Sequence, residues 1–327
     1  MLADFYFSRF LFKLKAEEQF SLPAYKGSTF RGAFGHAFKK VVCTLRRADC
    51  TDCLLKERCV YSYIFETPLP ENNPSLSKYR NAPHPFVILP PLDDRKFFLQ
   101  GVTIPFVLTL IGRAVEYLPY FIYTFSELGN TGIGRDRGKF TIARVLRLNG
   151  TESIPVYEGD GKILKSAYET MSWKNLVDTH SGHNGSNELS VQFISPTRIR
   201  QQNDLVVDLD FSVFFRSLLR RIDALSYFHC GCSLNGDVRS LIQQANEIQT
   251  KSRRLSWYDW ERYSNRQETR MKLGGFIGEV TFTGILEPFM PYILLGEYIH
   301  VGKGTSFGLG KYEINREHGR RPSDDLV

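Results

Sequence analysis

The sequence predicts an α+β protein in which one β-α-β-β-α-β unit is written twice, and three observations carry that prediction. Residues 108–142, "LTLIGRAVEYLPYFIYTFSELGNTGIGRDRGKFTI", lie without a gap over residues 280–314, "VTFTGILEPFMPYILLGEYIHVGKGTSFGLGKYEI", at a constant offset of 172. Each copy reads as a period-2 apolar strand ending at a glycine, a helix opening near a proline, a glycine-rich loop and a second strand. The chain has 327 residues, 42% of them hydrophobic and 13% aromatic, enough for two cores of roughly 150 residues.

The matched landmarks are Thr109 with Thr281, Gly112 with Gly284, Pro119-Tyr120 with Pro291-Tyr292, Gly132 with Gly304 and Gly138-Lys139 with Gly310-Lys311. Coincidence does not place all of these at one offset. The front half of the unit also recurs. Strand 4–16 leads into helix 28–45, and strand 189–200 into helix 211–229. The intervening strands are expected at 85–90 and 101–111, then at 252–263 and 275–285. This gives two tandem ferredoxin-like domains, 1–148 and 188–316. A polar connector, 149–187, with one helix near 163–177, joins them, and 317–327 forms a tail.

Lys and Arg outnumber Asp and Glu by 42 to 35, a formal charge of +7 concentrated in "RSLLRR", "KSRR" and "RYSNRQETRMK". That favours an anionic partner without naming it. The N-terminus "MLADFYFSRFLFKLKA" has no basic n-region followed by an unbroken apolar stretch, and no run reaches the roughly 18 apolar residues of a membrane span. A soluble, cytoplasmic protein with no membrane partner and reduced cysteines is therefore expected.

The loop "VGKGT" invites comparison with a nucleotide phosphate loop, and fails it. A Walker loop runs from strand to helix and needs Ser or Thr after its Lys. Here Gly304 follows Lys303 and the loop runs from helix to strand, so an NTPase is excluded. Glycines at 302, 304, 308 and 310, with Lys303 and Lys311 among them, instead predict backbone contact with a polyanion.

The C-terminal segment "GFIGEVTFTGILEPFMPYILLGEYIHVGKGTSFGLGKYEI", the tandem halves and the segment "FRGAFGHAFKKVVC" with the following "CTDC" and "APHPFVILPP" resemble the CRISPR-associated pre-crRNA-processing endoribonucleases of the RAMP superfamily. The resemblance implies binding of CRISPR repeat RNA (pre-crRNA), one cut per repeat, and CRISPR effector complex subunits as further partners. It also implies a catalytic histidine on or just after the first helix. RNA needs no metal for such a cut: the 2′-hydroxyl attacks the adjacent phosphorus, a base takes its proton, an acid protonates the leaving 5′-oxygen and a cation offsets charge.

On the first helix Phe30, Phe34, Ala37, Phe38, Val41 and Leu45 share one stripe at 100° per residue, and His36 falls opposite it. His36 is the expected catalytic group, with Lys39 or Lys40 stabilising charge, small Gly32 and Gly35 leaving room for a backbone, and Tyr25 orienting the nucleophile or donating a proton. His300, at the end of the second repeat's helix, is the rival, either as a catalyst or as an RNA contact. His84 and His229 are read as structural. The alternative activity is a non-catalytic guide-RNA-binding RAMP subunit. A zinc-dependent nucleic-acid-modifying enzyme is disfavoured by the lack of a His-x-Glu signature near the cysteines.

Cys43, Cys50, Cys53 and Cys59 follow C-x6-C-x2-C-x5-C in a basic, polar loop and predict a structural four-thiolate Zn2+ site, with an iron–sulfur cluster as the alternative. The tract from 251 to 272 interleaves aromatics with Arg, so Arg253, Arg254, Arg262, Arg266 and Arg270 are expected RNA contacts, as are Arg135, Arg137 and Lys139 in the first-repeat loop.

Overall fold

The computed structural model describes residues 2, 4–46, 50, 52–69, 81–150, 152–159, 164, 169–180, 187–202, 204–234, 236–259, 261–264, 269–272 and 274–315. They form two compact units. One is built on Tyr6–Thr170 with Ala224–Gly231; the other is built on Met1–Phe5, Met171–Asp223 and Cys232–Arg321.

The first unit contains β1 (Tyr6–Ala16), α1 (Gly27–Val42), α2 (Val60–Phe65), β2 (Phe86–Leu89), β3 (Thr103–Ile111), α3 (Leu118–Thr131), β4 (Phe140–Asn149) and β5 (Glu152–Glu158). Its antiparallel strands stand in the order β2-β3-β1-β4-β5. The second unit contains α4 (Trp173–His180), β6 (Glu188–Thr197), α5 (Phe211–Leu225), α6 (Val238–Gln244), β7 (Gln249–Tyr258), β8 (Glu261–Ser264), β9 (Thr269–Lys272), β10 (Gly275–Thr283), α7 (Met290–Ile299) and β11 (Tyr312–Ile314). Its sheet runs β7-β10-β6-β11, again antiparallel. Taking the four strands of each repeat in chain order, both sheets read second, third, first, fourth, the order of a β-α-β-β-α-β unit.

The internal repeat is visible in the starts of the elements. β3 and β10, α3 and α7, and β4 and β11 each begin 172 residues apart. Pro119 and Pro291 occupy the first turn of α3 and α7, where a missing N–H costs nothing. The copies part at their helix ends: α7 stops at Ile299, while α3 continues to Thr131. The chain released there lengthens the glycine-rich loop of the second copy, which runs over 300–311 against 132–139 in the first.

Several sequence expectations need correction. The strand expected at 252–263 ends at Tyr258, and the Trp257 indole N–H donates to Asp259 Oδ1 at 2.8 Å just past that end. β8 and β9 form a separate hairpin beyond it. Helix 211–229 is α-helical only to Leu225, after which Ser226–Cys230 makes a π-helical turn. The segment 149–187 is more than a connector: β5 pairs with β4, and the helix expected near 163–177 lies instead at Trp173–His180. Residues 317–327 lie outside the described residues.

Packing in the first unit follows from β1. Phe10, Phe12 and Leu14 alternate onto the face covered by α1 and α3, while Leu11 joins Leu89, Val107, Leu146 and Leu148 in a smaller cluster of its own. Phe30, Phe34 and Phe38 of α1 are buried, and the Phe34 ring stacks on Phe121 and Phe125 of α3 at centroid distances of 4.8 and 4.9 Å. At the N-terminus of α1, Lys26 is fully buried and its ammonium is held by the Asp93 carboxylate at 3.0 Å and the Ala24 carbonyl at 3.2 Å. Among the described residues no helix is long and apolar enough to cross a membrane.

Phe34→Ala leaves a cavity between α1 and α3 that neither helix can close alone. Urea denaturation should show a loss of about 3–5 kcal/mol, against less than about 1.5 kcal/mol for Phe34→Leu if that site repacks as volume-conserving swaps do.

Candidate functional site

The buried phenylalanine stripe sets the rotation of α1 and so decides what the helix shows to solvent. His36 and Lys40 are both exposed, one turn apart on the face opposite Phe34 and Phe38. Gly32, one turn earlier, is exposed, and a Cβ built there would meet nothing within 4 Å. The open face expected around His36 is therefore present on this side.

The other expected partners point elsewhere. Gly35 is buried, with the Phe65 ring 3.2 Å and Arg31 Nη1 3.1 Å from where its Cβ would stand, so its smallness serves packing and not RNA. Arg31 lies over that Phe65 ring at 4.7 Å and reaches His84 Nε2 at 3.2 Å, which fits the structural reading of His84. Lys39 turns away from His36 toward the Tyr61 ring, 5.3 Å from its centroid, and toward the Cys50 sulfur. Tyr25 is buried. Exposed imidazole and ammonium groups thus share a face of α1 only as His36 and Lys40, residue types able to exchange a proton with a bound strand and to offset anionic charge beside it.

The glycine-rich loop is built differently from the expectation. His300 is 2% exposed at φ +64°, and its Nδ1 lies 3.0 Å from the Leu309 carbonyl. It latches the loop from inside. Gly302, Gly304, Gly308 and Gly310 all have positive φ. A Cβ on Gly310 would stand 1.8 Å from the Val301 carbonyl oxygen, and one on Gly302 2.4 Å from that of Arg198, so own-chain packing accounts for both.

Several of the loop's donors are also spent at home. The N–H of Lys303 donates to Arg198 O, that of Gly308 to Thr305 O, that of Gly310 to Pro196 O and that of Lys311 to Ser195 Oγ. The expected cradle of N–H groups for a polyanion is corrected to this extent. Lys311 is buried, donating to the Glu297 carbonyl at 3.2 Å and pairing with Glu313 at 3.5 Å. Its role is structural. Lys303 is exposed and available. Arg221, buried on α5, donates from Nε to the Ile299 carbonyl at 2.9 Å and closes the end of α7; burial lowers its pKa to about 9.

The basic tract is distributed over two elements. Arg253 and Arg254 extend from the sheet-edge strand β7 and pair with Asp210 and Glu279 respectively. Arg262 and Arg270 belong to the β8–β9 hairpin, and Arg266 lies outside the described residues. In the first-repeat loop Arg135, Arg137 and Lys139 are exposed. The backbone there is pinned by Ser21, which donates to Asp136 and holds that carboxyl below its ordinary range.

Cys43, Cys50, Cys53 and Cys59 are all half-buried free thiols between the end of α1 and the start of α2. Burial pushes the Cys50 thiol up, with the Lys39 ammonium pulling it partly back. Among the described residues no group of three or more His, Cys, Asp or Glu side chains is gathered closely enough to hold a metal ion.

Comparison with known proteins bears on these faces together. A family model described as "CRISPR-associated endoribonuclease Cas6" matches residues 191–312, which span β6 through the glycine-rich loop, and a model described as an N-terminal domain matches residues 5–169. The Cas6 endoribonuclease match thus lies in the second repeat, while the first half of the chain belongs to the family of that N-terminal domain. A relative from Archaeoglobus fulgidus, described as an uncharacterized protein, is 25% identical over 323 residues, covering 94% of this chain and 99% of that one.

The solved Cas6 structures share the fold. Thermus thermophilus Cas6 gives a TM-score of 0.54 at 17% identity, over 95% of this chain and 99% of that one. A Cas6 product complex gives 0.57 at 16% identity, with the same coverage. A partial Cas6-RT-Cas1–Cas2 complex gives 0.63 at 16% identity, over 97% of this chain, which spans only 47% of that longer protein.

Sequence reasoning missed the Lys26–Asp93 clamp. "LPAYKG" places a lysine where a helix cap is usual, but its partner lies 67 residues away.

The two lysines of the glycine-rich loop should separate cleanly. Lys303→Ala should leave the melting temperature unchanged and reduce the salt slope of RNA binding by about one. Lys311→Ala should cost about 1–3 kcal/mol of stability in a thermal melt.

Proposed function

We propose that this chain binds CRISPR repeat RNA and cuts it once per repeat without a metal, by attack of a 2′-hydroxyl on the adjacent phosphate. The single observation that carries the reading is the exposed His36–Lys40 pair on α1 of a chain whose second repeat matches the Cas6 model, set against the burial of His300. His36 takes the hydroxyl proton or returns one to the leaving 5′-oxygen, and Lys40 offsets charge on the phosphate. Tyr25 and Lys39 act behind this pair: Tyr25 in the turn that enters α1, Lys39 by tying α1 to the cysteine loop. Lys303, Arg135, Arg137 and Lys139 supply phosphate contacts on the two repeat loops, Arg253 and Arg254 supply them on β7 and Arg262 and Arg270 on the hairpin, and Arg266, outside the described residues, is counted with them on its sequence alone.

Zinc belongs to this proposal as a structural element at Cys43, Cys50, Cys53 and Cys59. It would require the loop to draw the four thiolates together. Elemental analysis should then find one zinc per chain, lost in a Cys50→Ser/Cys53→Ser double variant; a metal-free protein, or iron in its place, would remove zinc from the account.

Cleavage decides the activity. In excess EDTA the protein should cut its repeat RNA at one position and leave a 5′-hydroxyl end. His36→Ala should slow single-turnover cleavage by about 100-fold or more with little change in RNA affinity. Tight binding without a cut in the unmodified protein would favour the non-catalytic guide-RNA-binding reading.

A further inference from the structure

A cavity of about 390 Å³ opens in the first unit, lined by none of the groups assigned to RNA above and bounded on one side by Cys59 of the cysteine loop. Glu57, Arg58, Cys59 and Tyr63 line one side of it, and Arg113, Glu116 and Tyr117 the other. Its volume is in the range that holds one small ligand, about 300–1,000 Å³.

The cavity floor is rigidly built. Tyr63 lies under the Arg113 guanidinium, whose carbon stands 4.3 Å from the ring centroid, so the flat cation is held by one face. The Tyr63 phenol is in turn held by His229. His229 Nε2 must donate to the Pro83 carbonyl at 2.7 Å, which leaves Nδ1 to accept from the Tyr63 hydroxyl at 3.3 Å.

The backbone supports the same arrangement. Gly112, at φ +57°, opens the 3₁₀ turn Gly112–Tyr117, and a Cβ there would come within 2.0 Å of the His229 carbonyl oxygen. The turn is thus packed directly on the π-helical turn Ser226–Cys230, a distortion often found at functional sites. Beyond the cavity the aromatics continue along the surface of α3. Tyr117 lies 5.5 Å from Tyr63 and 6.1 Å from Tyr120, and Tyr120 and Tyr123 are exposed.

Two guanidiniums are balanced here by two carboxylates, which does not select a bare phosphate. Flat faces with both donors and acceptors around them suit a nucleobase. We propose that this cavity docks one unpaired nucleotide of a single-stranded RNA segment, with its base laid on the Arg113 guanidinium and the Tyr117 ring, its edge toward Glu57 and Glu116, and flanking bases on Tyr120 and Tyr123. The inference rests on the RNA-binding part of the proposed function and not on cleavage.

The probe is a single-stranded RNA octamer, unrelated to any repeat, with 2-aminopurine at an internal position. Binding to the full chain should quench its fluorescence. Tyr117→Ala and Arg113→Ala should each weaken binding about 10-fold or more, whereas Tyr117→Phe, which keeps the ring, should bind within about twofold of the unmodified chain. Guanosine and adenosine monophosphates should compete only at far higher concentration. Unchanged octamer affinity in both alanine variants would overturn the proposal. So would monophosphates competing as well as the octamer, which would mark a free-nucleotide site. Circular dichroism confirms that each variant is folded. Octamer docking without repeat cleavage would sink the nuclease and leave this site standing; repeat cleavage with an inert cavity would do the reverse.

Discussion

The contact between the Phe34 ring and Phe121 and Phe125 governs what the first unit can do. A helix whose one stripe is buried cannot turn about its axis without exposing three phenylalanines, and each full burial is worth roughly 1.5–3 kcal/mol. Because Phe30, Phe34 and Phe38 face inward, His36 and Lys40 face outward. The chemistry assigned to α1 is therefore a consequence of core packing. The same packing consumes Gly35, and with it one of the features that had seemed to make room for RNA.

The second repeat shows the opposite use of the same plan. α7 is buried on nearly all sides, ends early, and passes into a loop whose turns are closed on the chain itself. His300, Arg221 and Lys311 work inward there, holding carbonyl oxygens at the end of α7 and across the loop. What the loop offers outward is the Lys303 side chain. One β-α-β-β-α-β design thus presents an exposed histidine and lysine on a helix face in one copy and a self-bonded, shape-defining loop in the other.

Much of this was legible from the sequence. A repeat at fixed offset survives because strands and helices must keep their length and register to pair, and the starts of β3 and β10 and of α3 and α7 confirm it. The exposure of His36 followed from helical period alone. Other features depend on where distant backbone comes to rest, which local pattern cannot report. Glycines needed for close approach to Arg198 or Val301 look like glycines needed for phosphate. A buried lysine paired with Asp93 looks like a surface lysine. The tandem Arg tract reads as one strand until an indole and an aspartate end β7. Four cysteines in metal-binding spacing do not say whether their loop closes.

The claim on which the account turns is that RNA meets the exposed face of α1 at His36 while His300 stays inside its loop. It can be read directly by titrating the protein, with its histidines isotopically labelled, with repeat RNA made uncleavable by a 2′-deoxy substitution, and following the imidazole resonances by NMR. The account predicts that the His36 signal shifts and saturates with the RNA while the His300 signal keeps its position. A His300 signal that moves with an unmoved His36 would contradict it.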